Sequence, residues 1–398
     1  MTFQDDASVL QADLVALRRD LHAHPEVGLD LPATRRRLEK ALDGLGLELR
    51  RGTALTSLIA VLHGRRPGPT VLLRADMDGL TVTERTGLPF ASAHGTMHAC
   101  GHDLHMTGLV GAARLLAARR AELPGAVVFM FQPGEEGYAG GRLMIDEGVL
   151  DAGPSRPVAA YALHVDSVLP SGRFTTRSGP IMASASGLTV RISGTGGHAA
   201  IPHLAVDPVP VAAEIVLALQ SFVARRIPAA DPAVVSVTRI ASDSEAPNVL
   251  ATRVELGVNV RTLSRETFRL VHEGIDALVA GVATAHGATV ELEWVDSYPV
   301  TVNDPAETAT TLSVLDELYG EDRVPRMPAP AMASEDFAYV LEEVPGTLVF
   351  LGARMPGLSD GEAPAMHSET AAFDEDVLPL QAATLAELAW RRLHREEA

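Results

Sequence analysis

Residues 94–108 read "HGTMHACGHDLHMTG" and place four histidines, an aspartate and the chain's only cysteine within fifteen positions. The whole chain has 14 histidines, so this density stands out from the rest of the sequence. Cys100 and His102 flank Gly101, and an extended or turning backbone would aim both side chains to one side. A thiolate beside a neutral imidazole is a borderline-soft donor pair suited to zinc and to neighbouring transition metals. A helix expected to begin near Asp103 presents its N-terminus here, which favours the anionic thiolate.

Other segments carry compatible groups. "QPGEEG" sets Glu135 and Glu136 side by side where a strand leaves its sheet. Adjacent residues of extended chain point to opposite sides, so the pair suits a division of labour, one carboxylate as ligand and the other as base on an activated water. Asp76 and Asp78 close "TVLLRADMD", and His164 follows "VAAYAL". His367 sits in the acidic loop "APAMHSETAAFDED". In "SGTGGHAAIPH", Gly196 and Gly197 precede His198, a backbone able to approach a ligand closely. A substrate role suits His198 better than a metal role, because only His203 is near it in sequence. His22, His24 and Glu26 are donor types that could be ligands, but they are read as a helix end, where histidines more often cap carbonyls or pack.

The elements that must position these groups alternate. "TSLIAVL", "TVLLRADMD", "GAVVFMFQPGEE" and "VAAYALHV" are apolar runs typical of buried strands, with helical segments such as "DLHMTGLVGAARLLAARR" between them. This alternation predicts an α/β domain with a mostly parallel sheet, and ligands bind such sheets outside the carboxyl ends of the strands. Three of the runs end in the acids and the histidine named above. From about residue 183 the order becomes β-α-β-β-α-β, the ferredoxin-like split motif. One helix there takes Asp207 as N-cap with Pro208 inside it, and another runs from Ser264 to before Gly287. The expected organisation is a catalytic domain in two parts, residues 1–182 and 294–398, around an inserted domain at residues 183–293.

Composition narrows the functions. A net charge of -18 opposes a phosphate-tracking nucleic-acid binder and an anionic membrane surface. Lys40 is the single lysine, which excludes a lysine P-loop and disfavours Schiff-base chemistry. One cysteine makes no internal disulfide, the acidic start does not read as a signal peptide, and no run approaches the ~20 uninterrupted apolar residues of a membrane span. A cytoplasmic setting is expected.

In combination, "RRDLHAHPEVG", "LLRADMDGLTV", "MHACGHDLHM", "FQPGEEGYAGGRLMIDEGVL", "YALHV", "GTGGHAAIPHLAVDP", "NVL", "MASEDFAYVLEEVPGTLVFLG" and "MHSETAAFDED" follow in this order along nearly the whole chain. The chain thereby resembles the aminoacylase and carboxypeptidase family of dinuclear metallohydrolases, in the branch of hippurate hydrolase, N-acyl-amino-acid amidohydrolases and auxin-conjugate hydrolases. The resemblance implies a zinc-exopeptidase-like catalytic domain with an inserted lid and dimerisation domain. It implies two divalent ions per subunit, manganese or zinc, with cobalt or nickel as further options, held by Cys100, His102, Glu136, His164 and His367. By the same resemblance Glu135 is the catalytic base, His198 contacts the substrate carbonyl, Asn248 holds the substrate carboxylate, and Arg261 stands where a substrate-binding arginine is common. A homodimer through the inserted domain is implied as well. The lid motif departs from the family's pattern, reading "SEAPNVLAT" without the usual glycine before the asparagine or Ile-Pro after it. Where sister branches carry histidine and aspartate two apart, this chain has Asp76 and Asp78, and Asp78 is expected to orient a ligand rather than bind metal. His94, His98 and His105 are expected to pack or to support ligands, with His98 the foremost candidate for an extra ligand. The reaction implied is hydrolysis of the amide bond of N-acyl amino acids or similar conjugates by a metal-activated water. The alternatives are a dipeptidase or carboxypeptidase of the same fold, and a catalytically retired binding protein for amino-acid conjugates.

Overall fold

A computed structural model describes residues 2–395 of the chain. The chain divides into two compact units. One comprises the residues up to Ile181, Val302–Ala329 and the residues from Asp336 onward; the other comprises Met182–Thr301 and Pro330–Glu335.

The first unit is built on a seven-stranded sheet. Its four middle strands, Pro124–Gln132, Arg66–Asp76, Pro157–Asp166 and Gly346–Gly352, lie side by side and parallel. They are apolar along most of their length because helices cover the sheet, so both pleat faces are buried. The chain leaves Arg66–Asp76 for a neighbour on one side and then crosses to the other. The carboxyl ends of Asp76, Gln132 and Asp166 therefore open onto a topological switch point.

The helix His102–Ala118 follows directly on the Cys100–Gly101 turn, and its first fourteen residues except Arg114 are buried. Its Gly108 lets the C-terminal helix Leu378–His394 come close, since a Cβ there would lie 2.3 Å from the Gln381 side chain. Gly101 is the N-cap at φ 82°, and a Cβ on it would lie 2.3 Å from Val165 Cγ2. Only glycine fits a left-handed turn pressed against the neighbouring strand.

The second unit has a four-stranded antiparallel sheet in the order Ala233–Ser242, Arg253–Thr262, Ala185–Ser193, Thr289–Tyr298. With the helices Pro208–Arg226 and Arg265–Ala285 this is the ferredoxin-like arrangement expected from the β-α-β-β-α-β order. The caps are also those expected: Asp207 accepts from Val209 N–H at 3.0 Å and Ser264 from Thr267 N–H at 3.0 Å. Pro208–Arg226 is long and apolar enough, by length and composition, to cross a membrane. Its Val211, Ile215, Leu219 and Phe222 are spent on the core beneath the sheet, beside Val271, Ile275 and Val279 of the other helix.

Candidate metal centre

Cys100, His102 and His164 bring one donor atom each within 4.8 Å of one another, and Cys100, Glu136 and His367 do the same. Cys100 is common to both sets. Its Sγ lies 3.6 Å from His164 Nε2 and 3.2 Å from His367 Nε2. His367 Nε2 is 3.2 Å from Glu136 Oε1, which is 4.0 Å from His102 Nε2. Donors held about 2.0–2.3 Å from a tetrahedral ion sit roughly 3.3–3.8 Å apart, so these separations match a metal's coordination sphere.

The backbone decides which nitrogen of each histidine faces this centre. His102 Nδ1 lies 2.8 Å from Asp78 O and His164 Nδ1 lies 2.7 Å from Val165 O. A carbonyl only accepts, so Nδ1 carries a proton in both rings and Nε2 is the nitrogen each would offer to a metal. His102 Nε2 is buried facing acidic groups, with Asp76 Oδ2 at 3.5 Å and Glu136 Oε1 at 4.0 Å, an environment that suits a cation. His105 behaves oppositely. Its Nδ1 donates to Asp76 Oδ1 at 2.6 Å, and its Nε2 accepts Val165 N–H at 2.8 Å. Both nitrogens are committed, so His105 is no ligand although it lies near His102. Asp76 is similarly occupied, with Arg74 Nη1 2.8 Å from its other oxygen. The Asp78 carboxylate accepts Glu135 N–H at 2.9 Å and Glu136 N–H at 3.0 Å. One aspartate thus holds both glutamates and, through its carbonyl, His102. The Glu135 side chain is buried, with a carboxylate oxygen within 4.8 Å of the His102 and Glu136 donor atoms.

Charge clusters as the geometry demands. Burial alone would raise the Cys100 thiol, but His164 and bonds from His102, His164 and His367 pull it down to about 6. Bonds to Cys100 and Glu136 push His367 up to about 10 against burial. Glu136 is lowered by His367 and His102 although burial opposes this. A thiolate and a carboxylate gather protonated imidazoles around them, and a divalent cation would replace those protons.

His367 is reached from far along the chain. It has φ 67°, and its N–H donates to Ala99 O at 2.9 Å, which fixes it against the Cys100 segment. His98 is buried; among the described residues neither ring nitrogen has a hydrogen-bond partner and it joins none of the donor groups, and burial holds its pKa down at about 3. His94 is exposed and stacks on His24. His24 caps Asp20 O at 2.8 Å, as expected of a helix end. His22 does not cap: it lies between two carboxylates, with Nδ1 2.8 Å from Asp103 Oδ2 and Nε2 3.1 Å from Glu84 Oε1. Burial opposes its charge, yet Asp103 and Glu84 raise it to about 9. Sequence reasoning missed this network and the Asp76–His105 pair. The signals available were the alternation in "ADMD" and the i, i+3 spacing of His102 and His105 on one helix.

His198, Asn248 and Arg261 belong to the second unit. Val249 pairs with His198 across a two-residue ribbon, and Ala199 N–H donates to Asn248 O at 3.1 Å, so His198 and Asn248 share one platform. His198 Nδ1 accepts Ala200 N–H at 3.0 Å, which leaves the proton on Nε2 and makes the exposed edge of the ring a donor. Arg261, on Arg253–Thr262, is half-buried among neutral partners, Nη1 2.8 Å from Ser334 Oγ and Nε 3.3 Å from Asn259 Oδ1.

Residues 72–391 match the model of "Peptidase family M20/M25/M40". The N-acetylcysteine deacetylase of Bacillus subtilis (strain 168) is 38% identical over 381 residues, 94% of this chain and 96% of that protein. Thermostable carboxypeptidase 1 of Saccharolobus solfataricus is 34% identical over 391 residues, 97% of each chain. Among solved structures, the Bacillus subtilis YXEP protein, described as a dinuclear metal binding peptidase from the M20 family, superposes with a TM-score of 0.84 at 32% identity, over 97% of this chain and 99% of that one.

Proposed function

This chain belongs to peptidase family M20/M25/M40, a family of metal-dependent amide hydrolases, and from that premise we propose that it removes the acyl group from N-acyl amino acids or related conjugates. The observation that carries the reading is the convergence of two donor triads on the shared Cys100 Sγ, with Glu135 beside them.

Cys100, His102 and His164 would hold one divalent ion, and Cys100, Glu136 and His367 a second, with manganese or zinc the best matches to a thiolate among imidazoles and a carboxylate. Such ions supply Lewis acidity that makes water nucleophilic near neutral pH and polarises the amide carbonyl. Glu135 takes the proton of the attacking water and returns it to the departing amine nitrogen. Asp78 keeps that carboxylate in place through the Glu135 N–H. His198 donates its Nε2–H to the developing oxyanion, with the tautomer set by Ala200 N–H. Asn248, beside it on the ribbon, holds the substrate carboxylate. Arg261 assists, its half-buried guanidinium having only amide and hydroxyl partners among the contacts described above.

In this reading the ligand-bearing unit is the catalytic domain and the second unit is a lid. The lid also joins two copies into a homodimer, a role supported by its exposed edge strand Ala233–Ser242 with Val234 and Ile240 outward. Sedimentation at micromolar protein would show a monomer if that part is wrong. A cytoplasmic setting fits a buried lone thiol that acts as a ligand.

Replacing Glu135 with Gln is expected to lower turnover of N-acetyl amino acids by about 10²–10⁴-fold while metal content stays at the parent level. Parent-level turnover in a metal-loaded Glu135→Gln protein would refute the assignment. The similarity to a carboxypeptidase keeps peptides as the second substrate class. A panel of N-acetyl amino acids and dipeptides compared by kcat/KM separates the two.

A further inference from the structure

The chemistry above leaves unused a set of buried charges behind the ligands. Arg18 and His22 project from the last turns of the helix Gln11–His22, and both are buried. Arg18 Nε and His22 Nδ1 share Asp103 Oδ2, at 2.7 and 2.8 Å. Asp103 is the residue after His102. The other nitrogen of His22 meets Glu84 Oε1 at 3.1 Å. Glu84 is itself held by the Thr86 hydroxyl and by Ser92 N–H at 2.7 Å. The next residue, Arg85, donates its N–H to Glu369 O at 2.6 Å and pairs with the Glu369 carboxylate at 3.1 Å. Glu369 lies two residues beyond His367.

A continuous polar path therefore runs from the residue beside one ligand to the loop that carries another, buried through His22 and Glu84 and ending in the exposed Arg85–Glu369 pair. Buried ion pairs of this kind are poor devices for stability alone, since apolar replacements of similar volume are often as stable. Their geometric demands are strict, which suits them to fixing distances. Outer partners of metal ligands commonly act in this way.

We propose that Arg18, His22 and Glu84 are positioning residues that set the separation between the Cys100–His102 turn and the His367 loop, and hence the fit of the metal centre. The proposal rests on reading Cys100, His102 and His367 as ligands. One arm of the test addresses that reading separately.

The test loads metal-free full-length protein with cobalt(II) and records affinity, ligand-field bands and thiolate-to-cobalt charge transfer, with circular dichroism to check the fold. The parent should show the charge-transfer band and Cys100→Ser should lose it. Failure of that arm removes the ligand reading, and the proposal with it. His22→Phe keeps a ring but no nitrogens, and it should bind cobalt about 10–100-fold more weakly with shifted ligand-field bands. Glu84→Gln keeps shape and an accepting oxygen, and should fall between His22→Phe and the parent. Tyr161→Phe serves as the control for a structural role. It cuts a buried bond to Glu307 in the same unit and should leave the bands unchanged. Parent affinity and bands in His22→Phe, or a loss no greater than in Tyr161→Phe, overturn the proposal. If His22→Phe does not fold, parent-like affinity and bands in Glu84→Gln overturn it.

Discussion

The two units handle their polar residues in opposite ways. In the first, Cys100, His102, Glu135 and His164 are buried and backbone groups fix the imidazole protons, while Glu136 is half-buried and His367 closes the set from an exposed loop. In the second, His198 is exposed on a ribbon of two residue pairs and Asn248 is exposed immediately before it. The donors of a metal centre must be held rigidly, because they repel one another or capture protons until a cation joins them. Groups that receive and release a substrate need access, and a two-residue ribbon opens at little cost. On the proposed reading the difference separates holding the metal from handling the substrate, and substitutions should divide the same way.

The largest break should come at the atom both triads share. Cys100→Ser replaces a soft thiolate with a hydroxyl that stays protonated near neutral pH. Metal content after dialysis and turnover should fall together, turnover by about 10³-fold or more, by the loss of the Lewis acid. Full metal content in Cys100→Ser would show that the thiol is not a ligand.

His198→Ala should show the other side of the comparison. Loss of one oxyanion donor costs about 10²–10³ in kcat. Metal content and the cobalt spectrum should stay at parent values, because no ligand is disturbed. A fall in bound metal would mean that His198 acts within the centre and that the division drawn above is wrong.

How far the sequence foretold this arrangement depends on the range of the interactions. Helix caps and the ferredoxin-like order were readable, since Asp207, Ser264 and the period of each element act locally. The cluster of donor types around Cys100 was readable for the same reason. The choice of His102 over His94, His98 and His105 came from the family resemblance and not from local pattern. His105 is disqualified by Val165 N–H, 60 positions away, and His102 is oriented by a carbonyl 24 positions back. His164 lies two residues inside its strand rather than at its end, because the strand continues to Asp166. His22 looked like a helix cap until Glu84 and Asp103 were placed on either side of it.

The buried charges also make a pH prediction of intermediate size. The Cys100 thiol of metal-free protein is held at about 6, below its usual 9.0. The shift is downward, so the thiolate persists as pH falls and disappears only through about pH 6. Its contribution to folding follows the same course, present in full above the usual thiol value and lost through about pH 6. Thiolate ultraviolet absorbance has a single source in this chain and should titrate there. Acidification from pH 8 to 5 should lower it about tenfold, against about a thousandfold for an unshifted thiol. A midpoint near 9 would mean that the imidazoles do not gather around the sulfur as described.

The smallest effect should belong to Asn248. A hydrogen bond from an exposed amide to a solvated carboxylate contributes about 1 kcal/mol, which is roughly fivefold in KM. The contact is made equally to substrate and transition state, so kcat should scarcely change. His198, whose ribbon partner Val249 follows Asn248, should do the reverse, with kcat falling and KM nearly constant. Measuring both variants on one N-acetyl amino acid therefore tests whether neighbours on a single platform divide binding from catalysis. If Asn248→Ala lowers kcat as much as His198→Ala does, the ribbon acts as one unit, and the amide's contribution is to hold the His198 loop rather than the substrate.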